Sequence, residues 1–138
     1  MPSSILDASA MLAYVHDEPG AGAVEEALFR GSAINLVNWA EVLTVVVRRG
    51  GKVADFEQRL SVAGVLGPDT LLNLMAITRE DAERAANLYP LAAVAGLSLG
   101  DRFCYATGLR LHLPILTAER SWPGLAGPGA QVRLIRGE

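Results

Sequence analysis

Four acidic residues stand where a chain of this kind can do chemistry. Asp7 follows the apolar pair Ile5-Leu6. Glu41 follows Asn38-Trp39-Ala40, Asp101 follows Ser98-Leu99-Gly100, and Glu119 follows Leu116-Thr117-Ala118. In an open α/β sheet, functional groups gather beyond the carboxyl ends of the strands, and all four fall at or just past such ends. Several carboxylates in one small volume repel each other unless a cation lies between them. A set of oxygen ligands with no His or Cys cluster points to a hard ion, Mg²⁺ or Mn²⁺, rather than zinc. Such an ion keeps its waters, meets phosphate readily and can activate a bound water, so the chemistry expected is hydrolysis of a phosphate ester. The chain has no glycine-rich phosphate loop, which argues against use of a nucleoside triphosphate.

Each acid also has an ordinary structural reading. Asp7 suits the cap of the helix it precedes, and Asp101 is the acidic member of a Ser-x-x-Asp capping box. Glu41 suits a first helical turn, where the dipole favours a negative charge, and Glu119 suits a surface pair with Arg120. The common placement decides for chemistry at Asp7, Glu41 and Asp101. Glu119 is left between ligand and surface.

The elements that must position these residues alternate. Strands are expected at 4–7, 33–37, 71–77, 113–117 and 131–135, and helices at 8–17, 21–30, 39–49, 53–66, 79–89 and 98–110. Asn38 is read as the N-cap of the helix at 39–49, whose Val42, Leu43, Val46 and Val47 form an apolar stripe. Thr78 with Asp81, and Ser98 with Asp101, open two further helices as capping boxes. A looser alanine-rich segment runs to Gly96, a helical turn starts at Thr117-Ala118-Glu119-Arg120, and 124–129 is a loop. This alternation predicts an α/β fold with a mainly parallel central sheet flanked by helices.

A length of 138 residues favours one domain, 1–138, able to bury a core without disulfides. Cys104 is the only cysteine. No apolar run approaches the length of a membrane span, and Met-Pro-Ser-Ser lacks the basic start of a signal peptide. A cytoplasmic protein is expected. The net charge of −3 argues against a large uniform basic surface for nucleic acid, though not against arginines around an acidic pocket.

The motifs also carry a resemblance. Leu6-Asp7-Ala8-Ser9-Ala10, Asn38-Trp39-Ala40-Glu41-Val42, Leu97-Ser98-Leu99-Gly100-Asp101-Arg102 and Leu116-Thr117-Ala118-Glu119-Arg120 with Trp122 resemble, in order, the four motifs of PIN-domain nucleases. The spacing and the closing Val132-Arg133-Leu134-Ile135 are similar to the VapC branch, the toxins of bacterial VapBC pairs. The resemblance implies a PIN-like fold, a Mg²⁺-dependent endoribonuclease in which Mn²⁺ can substitute, and a homodimer. It also implies RNA as substrate and a cognate VapB-like antitoxin that blocks the site. It carries metal-ligand roles to Asp7, Glu41 and Asp101, and a supporting role to Ser9. The fourth motif commonly has aspartate where this chain has Glu119, which leaves the reach of that side chain and the number of metals open.

The remaining candidates divide more evenly. Arg102 beside Asp101 suits either a phosphate contact or a rim salt bridge. Arg48, Arg49 and Lys52 read as a solvated, dipole-favoured helix end, with RNA contact as the other use. Trp39 reads as packing rather than base stacking, Cys104 as core, and His16 and His112 as structural or surface. Tyr14 and Met11 are expected to pack with residues 21–30 against an antitoxin or a twin subunit. Two other functions are weighed against the toxin ribonuclease. One is a non-catalytic or housekeeping PIN-like module that binds RNA or protein. The other, a receiver-like signalling domain, fits less well, because no pair of acids ends the first strand and Lys52 is the only lysine.

Overall fold

The computed structural model describes residues 2–67, 70–120 and 131–136. Five strands, β1 (Ser4–Leu6), β2 (Ser32–Asn35), β3 (Leu72–Met75), β4 (Ile115–Thr117) and β5 (Val132–Leu134), form one sheet in the order β3-β2-β1-β4-β5. Every pairing is parallel. Helices fill the connections: α1 (Ala8–Val15), α2 (Ala21–Phe29), α3 (Leu36–Arg48), α4 (Val53–Val62), α5 (Arg79–Asn87), α6 (Tyr89–Ala95) and α7 (Leu99–Leu111). The α/β fold with a parallel sheet is the expected one. Among the described residues no helix is long and apolar enough to cross a membrane.

Both faces of the sheet are covered, so its inner strands read as short apolar runs. Successive side chains point to opposite faces. Leu6, Ile34 and Leu116 join one core with Met11, Val24, Leu28, Val42 and Phe56 from α1–α4. Their neighbours Ile5, Ala33 and Ile115 join a second core with Cys104 and Tyr105 of α7. Helix α7 lies close to β4 because Gly108 has no side chain. A Cβ there would fall 2.7 Å from Ile115 Cγ1.

Three readings of the sequence change. The N-cap of α3 is Asn35, not Asn38. The Asn35 side chain accepts from the Asn38 backbone N–H at 2.7 Å while its backbone is still extended, so the helix starts three residues earlier and the strand ends at Asn35 rather than Val37. The alanine-rich segment before Gly96 is a true helix, α6, with Pro90 in its first turn and Gly96 in a left-handed C-cap. Met11 is fully buried inside the chain, so it cannot face a partner. The strand at 71–77 shortens to β3, the helix at 53–66 to α4, and Trp122 and the loop 124–129 lie outside the described residues.

The two capping boxes form as expected, each with side-chain and backbone bonds in both directions. Asp81 does more than cap. Fully buried, it receives Nε and Nη2 of Arg110 at 2.8 and 3.0 Å and so ties α5 to the far end of α7. Burial alone would raise its carboxyl. The hydrogen bonds from Arg110 and the Thr78 N–H outweigh that and hold it below its ordinary value. The stabilisation is therefore complete above about pH 4 and is lost as pH falls through the depressed value. Asp81→Ala should cost about 1 kcal/mol for the cap and about 2 kcal/mol for the charged hydrogen bonds. Urea denaturation at pH 7 measures this, and the gap from wild type should narrow as the pH is taken below about 4.

Candidate active site

The strand order reverses at β1, with β2 and β3 on one side and β4 and β5 on the other. The crevice at such a switch point, beyond the carboxyl ends of the strands, is where ligands bind in open α/β sheets. Asp7 sits at the end of β1, Thr117 ends β4 with Glu119 two residues on, and α3 leaves β2. One open pocket of about 380 Å³ lies here. Its lining includes Ser9 of α1, Glu41, Thr44 and Arg48 of α3, Ser98 and Asp101 at the start of α7, and Glu119.

Asp7 is the best-held acid. It is 1 % exposed. Its Oδ1 accepts from the Ala10 N–H at 2.8 Å and from Ser9 Oγ at 2.7 Å, and its Oδ2 accepts from Thr117 Oγ1. Ser9 Oγ also accepts from the Ala118 N–H, and Thr117 Oγ1 from the Glu119 N–H. Two hydroxyls thus lock the end of β1 to the end of β4. Burial pushes the Asp7 carboxyl from 3.8 to about 7, against the lowering by its three donors, and the charge of Glu119 adds to the rise. The capping reading and the site reading of Asp7 are both true.

Glu41 lies in the second turn of α3, not the first, because Asn35 starts that helix early. The helix dipole therefore does not account for it. Asn38 holds it instead. The buried Asn38 amide donates to Glu41 Oε1 at 2.8 Å and to the Gly100 carbonyl at 3.0 Å. Turning the amide over would set Oδ1 against two acceptors, so the donations fix its orientation. Gly100 leaves the room for this. A Cβ there would fall 2.6 Å from the Glu41 carboxyl carbon. Burial raises the Glu41 carboxyl, and the charge of Asp101 raises it further, against the Asn38 bond. Asp101 accepts from the Ser98 N–H through Oδ2 at 2.9 Å and still lines the pocket.

The structure thus brings Glu41, Asp101 and Glu119 into one pocket, with Asp7 bonded to its Ser9 wall. Glu119 is exposed where the other three are buried or partly so. Among the described residues, no three His, Cys, Asp or Glu side chains stand together as a group that could hold a metal ion, so in this conformation the acids line an open pocket without forming a ligand set. Arg102 does not join them. Its Nη1 donates to the Ala85 carbonyl at 2.9 Å and its guanidinium stacks 5.6 Å from the Tyr89 ring centre, because its place on α7 faces α5 and α6. The rim salt bridge weighed for it is not made among the described residues. Trp39 packs on Phe56 and donates to Glu57, and Cys104 is buried core, both as expected. Asn38, Gly100 and Thr117 are the supporting residues that sequence reasoning passed over. The spacing Asn38-x-x-Glu41 on a helix is the signal that shows the first.

With this geometry in place, the comparisons with known proteins agree. The profile of the PIN domain matches residues 4–127. The chain belongs to the PIN domain family. No curated protein sequence matches it. Among solved structures, this PIN domain is similar to a toxin–antitoxin complex from Klebsiella pneumoniae, with a TM-score of 0.67 and 22 % identity over 93 % of this chain and 95 % of that one. It is also similar to VapBC2 from Rickettsia felis bound to a DNA fragment from its promoter (TM-score 0.68, 13 % identity, 95 % and 97 % coverage). FitAcB from Neisseria gonorrhoeae gives 0.67, 15 %, 95 % and 96 %. At these identities the likeness is one of fold.

The buried Asp7 gives a pH test. Its folded carboxyl titrates near 7 and its unfolded one near 3.8, so the folded state holds the extra proton between these values. Stability from this group is full below about pH 4 and falls as pH rises towards 7. Asn caps a helix as well as Asp, so Asp7→Asn should remove this slope and melt at or above wild type at pH 8 in chelator. Thermal melts across that range measure it, and a clear loss of stability at every pH would contradict the raised Asp7 carboxyl.

Proposed function

We propose that this PIN domain is a metal-dependent endoribonuclease, the toxin of a type II, VapBC-like pair. The observation that carries the reading is the single pocket in which Glu41, Asp101 and Glu119 meet the Ser9 wall that holds Asp7. All the donors are oxygens, and burial raises the carboxyls of Asp7 and Glu41, with the charges of Glu119 and Asp101 adding to the rise. That donor chemistry fits Mg²⁺, with Mn²⁺ as substitute. Asp7, Glu41 and Asp101 would hold the ion only once drawn closer around it than they stand here, and Glu119 would reach it less directly. When bound, the ion supplies an activated water and charge neutralisation for cleavage of an RNA phosphodiester.

The chain's own residues do the positioning. Ser9 and Thr117 orient Asp7, Asn38 orients Glu41, and the Ser98 N–H orients Asp101. Partners of this kind each affect metal affinity or activity by about 10–100-fold. The antitoxin partner is supported by the toxin–antitoxin complex and the VapBC structure among the similar structures. Two largely apolar hollows lie on the surface, one lined by Tyr14, Val15, Phe56, Arg59 and Leu60, and one, adjoining the pocket through Thr44 and Arg48, by Ala40, Leu43, Val47 and Val53. They suit an amphipathic segment. A homodimer and a cytoplasmic site of action belong to the same reading.

The test is cleavage of a mixed RNA pool with Mg²⁺ or Mn²⁺, with the fragments mapped. Wild type should cut, and Asp7→Asn and Asp101→Asn should not. Asn38→Ala should lose about 10–100-fold while remaining folded. Glu119→Gln should show an intermediate loss, and a fully active Glu119→Ala would remove that residue from the site. Expression alone should slow growth and the antitoxin should restore it. A wild-type chain that cuts no RNA with either metal and is harmless when expressed alone would leave the non-catalytic binding module as the function.

A further inference from the structure

The cations of this chain are unevenly engaged. Arg30, Arg79, Arg84 and Arg110 form ion pairs with Glu26, Glu83, Glu80 and Asp81. Arg102, Arg133 and Arg136 hydrogen-bond within the fold. Arg48, Arg49, Lys52, Arg59 and Arg120 make no ion pair or side-chain hydrogen bond among the described residues, and all five are exposed. Arg48, Arg49 and Lys52 lie together at the end of α3 and the turn before α4. Arg48 also lines the acidic pocket, where it is the only cationic lining residue among those described. It shares one face of α3 with Glu41 and Thr44, seven residues from Glu41, which is about 10 Å along the helix axis.

A helix end attracts positive charge through its dipole, and one arginine satisfies that. The dipole does not explain why an unpaired cation lines a pocket otherwise rimmed by carboxylates. Those carboxylates, in a chain of net charge −3, repel a polyanion. A phosphate chain that reaches them must be held by cations beside the pocket, and this cluster adjoins it.

Resting on the ribonuclease reading, we propose that Arg48, Arg49 and Lys52 form the track that holds the phosphates flanking the scissile bond of a single-stranded RNA, with Arg48 nearest the pocket. The track contributes charge and not base stacking. The aromatic residue of α3, Trp39, is 4 % exposed and packed on Phe56. The hollow on the other side of Arg48, lined by Ala40, Leu43, Thr44, Val47 and Val53, has no aromatic wall among the described residues. Stacking platforms for single strands need one. The binding these residues supply is therefore strongly salt-dependent and indifferent to sequence.

The experiment measures fluorescence anisotropy of short labelled single-stranded RNAs of different sequence, in the Asp7→Asn background so that no cleavage intervenes, over a range of salt. Removing one cation that neutralises a phosphate lowers the slope of log affinity against log salt by about 0.7 for a single strand. Arg48→Ala should lower it by about that amount and Arg48→Lys should retain it. The triple alanine variant at 48, 49 and 52 should lower it by about 2, equally for every RNA. Arg79→Ala, which removes an arginine already paired with Glu83, should leave the slope unchanged. Melting temperatures check that the exposed substitutions leave the fold intact. An unchanged slope in the triple variant, while wild type still cuts RNA, would overturn the track alone. So would a loss confined to certain sequences, or retained RNA affinity with lost binding to a poly-glutamate peptide, which would assign the cluster to an acidic protein segment. If the parent binds no RNA and wild type cuts none, the ribonuclease reading falls and the track with it.

Discussion

The burial of one carboxylate at the end of the central strand constrains everything around it. Asp7 closes β1 in the middle of a parallel sheet, where water scarcely reaches, and its side chain must be satisfied by the protein itself. Ala10 N–H, Ser9 and Thr117 supply that, the first two from the first turn of α1 and the third from the end of β4. The requirement to hydrogen-bond a buried acid therefore also locks the two strands that bound the crevice. The remaining deficit shows in the raised carboxyl of Asp7. Burial is its main cause, and the charge of Glu119 adds to it.

Around that fixed point, two long-range ties set where the other acids stand. The Asn38 amide spans from α3 to α7, and Gly100 lets the two helices meet at the Glu41 carboxylate. At its other end α7 is held by Arg110 on Asp81 and by the close approach of Gly108 to β4. A helix pinned at both ends keeps Asp101 in register with Glu41, although sixty residues separate them in the chain. The site is thus built on rigid elements and not on loops. Glu119, the exposed member, is the exception, and it is also where the chain departs from the aspartate common in the fourth motif.

Much of this is legible in the sequence because the signals are local. Ser98-x-x-Asp101 and Thr78-x-x-Asp81 announce helix starts through bonds made within four residues, and both form. Ile5-Leu6-Asp7 and Ile115-Leu116-Thr117 read as buried strands because both sheet faces are covered. What fails does so where the choice is tertiary. Asn35 and Asn38 are equally good caps by type. Only the burial of Asn35 against Thr107 and the pull of Glu41 on Asn38 decide between them. Arg102 follows Asp101 in the chain but points a quarter-turn or more away on α7, which sends it to Ala85 and Tyr89. Met11 falls on the buried stripe of α1, which the weak periodicity of Ala-Ser-Ala-Met-Leu-Ala does not reveal.

The proposed function requires that the acids around Asp7 bind a hard metal ion. Calorimetric titration of Mg²⁺ into wild type and into Asp7→Asn, with no RNA present, tests it most directly. The account predicts saturable binding to wild type and a loss of affinity of at least tenfold in the variant, about 1.4 kcal/mol. Equal affinity in the two proteins would contradict it.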